Sequence, residues 1–308
     1  MKKIILRIFL VSVLILGMEW QLLGADNYYG MANDYLQYGA RAKSLAMGGA
    51  YVALANEASA PYWNPAGLTQ INEHEFLAMY APFFDQTSYN FVSYVHPLGK
   101  MGSLAISDIF LYSAGYEEVD GEGNVLGTNQ SIFTNVVIIS YANRIQKQIS
   151  LGASLKLLHE RVMNYSGNGR GIDLGILYQP WEVLNIGLAV QNVLQPKVTL
   201  RDDPNVYNIN FKAGLALKTF SNRLTLTADI NKLVDEKAYF CAGLEVSPWE
   251  KPASPSLKRV DLRAGFNHFQ SFTCGIGLKI RFLTVDYAFS SHDLGNLHKF
   301  ALTFSWAK

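Results

Sequence analysis

From about Glu73 to the C-terminus, apolar residues recur at every second position, and this period of two commits the chain to strands with two chemically different faces. The clearest segment sets Leu224, Leu226, Ala228 and Ile230 against Thr225, Thr227, Asp229 and Asn231. Further on, Phe272, Cys274, Ile276, Leu278, Ile280 and Phe282 oppose Thr273, Gly275, Gly277, Lys279 and Arg281. At the end, Phe300, Leu302, Phe304 and Trp306 oppose Lys299, Ala301, Thr303 and Ser305. Such segments fall at 73–83, 87–96, 102–112, 130–142, 148–162, 170–179, 184–193, 206–218, 222–231, 237–246, 258–267, 271–281, 283–290 and 298–307. They make about fourteen, an even number, and most match the roughly 9 to 11 residues of a spanning strand. The expected fold is all-β, a transmembrane antiparallel β-barrel.

Alternation alone leaves open which face is outside, because a secreted β-sandwich also alternates and turns its apolar face inward. The polar face here carries Lys156, Asp173, Lys212, Asp229, Glu245, Arg263, Lys279 and Asp286, a mixture of signs that suits a charged lumen. Connections alternate in length: those at 97–101, 143–147, 180–183 and 219–222 are short, and those at 113–129, 164–169 and 194–205 are longer. Short periplasmic turns opposite longer extracellular loops give this pattern. Trp181, Trp249 and Trp306 all fall at the short-turn end, as an aromatic girdle would. The connection at 247–257, with Pro248, Pro252 and Pro255, is long for that end and has no physical account at this level.

Ahead of the strands, Lys2, Lys3 and Arg7 lead into an apolar run at 8–18, and Gly24 and Ala25 precede Asp26. This reads as an export signal over 1–25. The run is too short for a spanning helix, and no later stretch reaches the roughly 18 to 20 apolar residues one needs. The domain reading is then signal 1–25, an N-terminal plug segment 26–72 and the barrel 73–308. A net charge of +1 with scattered Lys and Arg gives no basic patch for nucleic acid. The two cysteines, Cys241 and Cys274, point to opposite faces, which argues against a disulfide, and without nearby histidines they make a poor metal site.

The segment at 39–68 departs from period two. Leu45, Met47, Tyr51, Val52, Leu54 and Ala55 are interleaved with small residues, as in a short helix packed into a confined space, and Gly48 and Gly49 should interrupt it. Asn64 precedes a proline and is pushed out of the α region, Pro65 can open a helical turn, and Gly67 can close it in a left-handed conformation. By residues alone this is a cap and turn at a domain edge. With a signal before it and strands after it, it reads as a plug for the barrel.

Gly39, Arg41, Ala42, Met47, Gly48, Gly49, Ala50, Tyr51, Ala53, Ala55 and Asn56, continuing through Trp63, Asn64, Pro65, Ala66, Gly67 and Leu68, resemble the N-terminal signature of the PorV/PorQ family, a branch of the FadL-like outer-membrane barrels. Asp286, Tyr287, Ala288, Asp293, Leu294, Gly295, Asn296, His298 and Phe300 resemble the family's ending, although Ala307 and Lys308 follow Trp306 where a final aromatic residue is usual. The resemblance implies residence in the bacterial outer membrane, in contact with its lipid. From the nearer branch it implies a part in protein secretion or surface attachment of the type IX kind, with secreted proteins or secretion components as partners. From the wider group it implies transport of hydrophobic small molecules.

No nucleophile elbow, zinc pair or phosphate loop stands at convincing spacing, so no enzyme activity, cofactor or metal is expected. Asp120, Glu122 and Asn124 resemble a calcium loop only faintly, because Val125 takes the place of the glycine such a loop needs. In the third strand Asp108 breaks the apolar face of Leu104, Ile106 and Phe110. A carboxylate facing lipid is expensive, so a bulge at Ser107 and Asp108 could turn it inward and part the wall; FadL-like barrels open laterally through a kink in this strand, and the resemblance implies a similar device. The alternative is that the strand leaves the membrane lower than its length suggests.

Overall fold

The computed structural model describes residues 38–83, 87–250, 257–267, 271–291 and 296–307. The expected signal, residues 26–37 of the plug segment, Pro252 and Pro255, Asp293 to Gly295 of the C-terminal motif, Lys308 and the side chain of Trp249 lie outside the described set.

Among the described residues, two short helices, α1 (Ala42–Ala46) and α2 (Ala60–Trp63), and a 3-10 helix (Pro65–Gln70) precede sixteen strands. In chain order these are β1 (His74–Pro82), β2 (Ser88–Pro97), β3 (Ser103–Val119), β4 (Val125–Gln146), β5 (Ile149–Val162), β6 (Tyr165–Trp181), β7 (Leu184–Leu194) and β8 (Lys197–Thr199). They continue as β9 (Pro204–Val206), β10 (Asn210–Thr219), β11 (Leu224–Leu233), β12 (Tyr239–Glu250), β13 (Leu257–Asn267), β14 (Ser271–Ile280), β15 (Leu283–Ser290) and β16 (Leu297–Trp306). All but β8 and β9 form one closed antiparallel barrel, so the expectation of a 14-stranded barrel holds. Closure joins β1 to β16 from His74 opposite Trp306 to Tyr80 opposite Phe300.

Burial fixes the faces. On β6, Gly171, Asp173, Gly175 and Leu177 are buried, while Ile172, Leu174, Ile176 and Tyr178 are exposed by 36 to 47%. On β11, Thr225, Thr227, Asp229 and Asn231 are all buried and Ile230 is 53% exposed. A sandwich would invert this arrangement, whereas a barrel in lipid requires it. Cys241 faces in and Cys274 out, and both are free. Trp181 and Trp306 end their strands at one rim, where Trp306 stacks with His74 and Tyr94. The same rim carries the short turns.

Two connections expected as loops are strands. The segment at 113–129 belongs to a hairpin in which β3 and β4 stay paired beyond the barrel wall, with register shifts after Ala114 that erase the simple alternation. At its tip the Asp120 carboxylate accepts the backbone N–H of Glu122 (2.9 Å) and of Asn124 (2.8 Å), so it caps a turn. A further bond from the Asn124 side chain helps hold the carboxyl below its ordinary pKa. Of the residues at 164–169, all but Asn164, which lies in the turn, are likewise part of β6, opposite β5 from Tyr165 and Val162 onward. In the 195–209 connection, β8 and β9 form a small hairpin that folds against the inner face of β6: a Cβ at Gly171 would lie 2.7 Å from Pro196.

Candidate functional site

The described part of the expected plug segment, residues 38–71, lies inside the barrel and is almost wholly buried. Gly48 and Gly49, both at positive φ (66° and 75°), turn the chain after α1, as expected of them. Asn64 is extended (φ −159°, ψ 106°), and its side-chain oxygen accepts the Ala66 N–H at 3.1 Å as Pro65 opens the 3-10 helix. Gly67 differs from expectation. It sits within that helix at ordinary φ, and its lack of a side chain serves close packing, because a Cβ would stand 2.0 Å from the Ala55 carbonyl oxygen.

Charge fastens one side of the plug. The Arg41 guanidinium pairs with Glu57 in the plug and with Asp286 of β15, the latter through Nε (3.2 Å) and Nη2 (2.8 Å). Lys43 reaches Glu57 at 2.9 Å and Glu245 of β12 at 3.3 Å. Arg263 of β13 joins Glu245 to Asp286, at 2.7 Å each, and Asp261 and Arg259 complete the cluster. Removing one member of such a buried set strands its partner at a cost of about 3 to 5 kcal/mol. Four cations here face four carboxylates, so the set is balanced as it stands. Tyr51 donates through its hydroxyl to Glu57, and the backbone N–H groups of Tyr51 and Val52 donate to Asp229 of β11 at 2.6 and 2.8 Å.

Further bonds reach β6, β7 and β14. Asn64 donates to the carbonyl of Ile176 at 3.0 Å, Asn185 to that of Ala53 at 3.2 Å, and Gln191 to that of Tyr62 at 2.6 Å. The Thr273 hydroxyl accepts the Gly48 N–H and donates to the Ala46 carbonyl, both at 3.1 Å. Met47 is fully buried beside these contacts, and Trp63 donates its indole N–H to the Ala40 carbonyl at 3.0 Å. Gly39 N–H reaches the Tyr62 hydroxyl at 3.0 Å. The ammonium of Lys212 lies over the rings of Tyr62 and Trp63, at 5.7 and 5.3 Å from their centroids.

A belt of inward glycines makes this closeness sterically available. A Cβ at Gly152 would lie 2.3 Å from Ala66 N, at Gly175 2.1 Å from Asn64 Oδ1, and at Gly187 2.4 Å from Val52 O. At Gly243 it would lie 2.6 Å from Met47 O and at Gly265 2.2 Å from Gly48 N. Sequence reasoning saw these glycines only as small members of a polar face. Their recurrence at inward positions of successive strands was the available signal.

The wall at β1 to β4 is different. Leu77, Met79, Tyr89, Phe91, Ile109, Val136 and Ile138 turn inward there and form one apolar cluster with Leu54, Tyr62, Trp63 and Leu68 of the plug. A small cavity of about 30 Å³, room for roughly one water, lies between Tyr62, Ile109, Ile138, Lys156 and Asn210. A larger cleft of about 290 Å³ opens at the short-turn end between Thr69, Ile71, Ser103 and Asn143. Both cavities abut β3 and β4.

The lateral opening expected at Ser107 and Asp108 is absent. The third strand pairs without a register shift with β2 from Ser103 to Tyr112 and with β4 from Ser103 to Ala114. Ser107 faces in and shares a hydrogen bond of 2.8 Å with Ser93. Asp108 faces out, and its carboxylate accepts the Asn135 side-chain N–H at 2.5 Å. A neighbouring amide on the outer wall gives the carboxylate one partner, and the strand stays regular, without a bulge. Among the described residues no His, Cys, Asp and Glu side chains converge as a metal site.

The fold is similar to those of two toluene transporters and a FadL homologue of known structure. The toluene transporter TbuX of Ralstonia pickettii aligns over 87% of this chain and 97% of its own, with a TM-score of 0.57 and 15% identity. The Pseudomonas putida toluene transporter TodX aligns over 87% and 98%, with a TM-score of 0.60 and 13% identity. A Pseudomonas aeruginosa FadL homologue aligns over 87% and 98%, with a TM-score of 0.55 and 11% identity. At such identities the likeness is one of fold. Residues 31–173 match the model of an uncharacterised protein family, UPF0164. No curated protein matches the chain. The FadL-like half of the expected resemblance is supported by these neighbours; the PorV/PorQ half is not.

Proposed function

We propose that the protein resides in the bacterial outer membrane as a non-enzymatic, plugged channel for hydrophobic small molecules. The observation that carries this reading is the asymmetry of the lumen: ion pairs and most hydrogen bonds tie the plug to β5–β16, while β1–β4 meet it chiefly with apolar side chains, the Glu75 carboxylate that accepts the Ala58 N–H at 2.9 Å being the charged exception. An apolar solute moving along that wall replaces apolar contacts with equivalent ones. Water or an ion in the same place gains nothing comparable. The similar folds of toluene transporters support the reading. The other expectation, a part in type IX protein secretion, draws no support from the same neighbours.

The test is uptake into liposomes carrying the purified protein, with radiolabelled toluene as solute and xylose as the hydrophilic control. Toluene should equilibrate faster than in empty liposomes while xylose does not. Equal toluene rates with and without protein would refute the function.

A further inference from the structure

The outward face of β2–β6 carries a line of polar side chains where a lipid-facing wall should be apolar. Asn90 of β2 stands opposite Phe110 of β3, Phe110 opposite Asn135 of β4, Asn135 opposite His159 of β5, and His159 opposite Asn168 of β6. Asp108 lies one outward position below Phe110. These groups bond along the wall, Asn135 to Asp108 at 2.5 Å and His159 Nδ1 with Asn168 at 2.9 Å. Exposed Arg161 and Arg170 flank the line.

The line cuts into the apolar belt. A strand rises about 3.3 Å per residue, and a tilt near 40° leaves roughly 2.5 Å of that along the membrane normal. On β14 the outward residues Phe272, Cys274, Ile276, Leu278 and Ile280 keep the surface apolar for roughly 20 Å. On β2, Val92 alone separates Tyr94 from Asn90, a height of roughly 10 Å. The belt is about half as tall on β2, and on β5 and β6, where the outward runs are 151–157 and 172–178, it is roughly 15 Å. Amides and a carboxylate facing hydrocarbon would each be costly, and the bonds along the wall leave acceptor and donor capacity unused.

We propose that this notch seats phosphate-bearing lipid headgroups of the outer leaflet below the level they reach elsewhere around the barrel, thinning the bilayer beside β2–β6. The chemistry matches on both signs, because Arg161 and Arg170 suit phosphate oxygens and Asp108 suits a headgroup ammonium. The inference rests on the membrane residence proposed above and is independent of what the channel carries.

Two measurements test it. Spin labels at Val92→Cys and Ile276→Cys, in a Cys241→Ser/Cys274→Ser background, sit at similar heights from the short-turn rim on walls four strands apart around the barrel. In dimyristoylphosphatidylcholine liposomes the label on β2 should be severalfold more accessible to an aqueous nickel chelate than the label on β14. Equal accessibility would overturn the notch, and failure to insert into any liposome would overturn the membrane reading itself. In the second measurement, the N90L/D108L/N135L triple variant restores a full belt. Its folding yield across dilauroyl, dimyristoyl and dipalmitoyl phosphatidylcholine should peak at a longer lipid than the wild type. An unchanged profile would count against the proposal, and so would a cross-linked dimer formed by the wild type and lost in the variant, which would assign the line to a second copy of the chain.

Discussion

Filling the glycine belt should loosen the plug and leave the barrel standing. A Cβ at Gly187 would meet the Val52 carbonyl oxygen at 2.4 Å, and one at Gly265 would meet Gly48 N at 2.2 Å, where ordinary contact begins at 3.4 Å. The plug backbone must therefore retreat by about 1 Å at each site, and that retreat stretches the neighbouring bonds from Tyr51 and Val52 to Asp229 and from Gly48 to Thr273. Overpacking of this kind costs about 1 to 3 kcal/mol per site. At about 1.4 kcal/mol per tenfold, the double variant G187A/G265A should raise the fraction of displaced plugs by roughly 30-fold to 10⁴-fold. Conductance of single proteins in planar bilayers reads that fraction. Deletion of residues 26–68 supplies the fully open reference, and heat-modifiable mobility on gels checks that each barrel is folded. Gly121→Ala, at a site with nothing within 4 Å, is the neutral control. If the folded double variant conducts no more often than the wild type, the belt does not seat the plug; if the deleted form conducts no better than the intact one, the segment does not close the pore.

Leu226→Arg and Ile276→Arg place a charge on the lipid face, and each should lower the stability of the folded barrel in liposomes by about 2 to 4 kcal/mol in urea titrations; no loss would mean that the faces are reversed. Thr227→Arg is not the mild comparison that a water-filled lumen would offer, because Thr227 is buried beside Gly243 within the plug seat. Arg41→Ala should free the plug by leaving Asp286 and Glu57 short of a partner, a loss of about 3 to 5 kcal/mol, and a double-mutant cycle with Asp286→Ala should show strong coupling by urea titration, whereas additive effects would remove the ion pair from the account.

Strand number, order of the faces and most strand limits were legible because period two survives wherever one face meets lipid. It fails past Ala114, where the hairpin leaves the wall and the register shifts, and that is where strands passed for a loop. In the N-terminal segment the turns at Gly48, Gly49 and Pro65 were legible from glycine and proline alone. Its fastening was not. Lys43 and Glu57 carry no pattern of their own, and the wall partners of Lys43 and Arg41, Glu245 and Asp286, lie far along the chain on other strands. Strand parity put Asp108 on the lipid face and a bulge was expected to turn it inward; its partner there, Asn135, is 27 residues away, and a strand read singly shows no such neighbour.

The ring that shuts between β1 and β16 also sets an order of assembly. Arg41 is 245 positions from Asp286, and Tyr51 is 178 from Asp229, so the N-terminal segment finds its anchors only after nearly the whole chain has been made. Once the final seam zips from His74 to Tyr80, the wall has no lateral gap by which a folded plug could enter. The segment must therefore be threaded among the late strands while the sheet is still an open, curved ribbon, or pass unfolded through an end of the finished cylinder. Contacts this distant make folding slow, because each closes a long loop before any reward is gained.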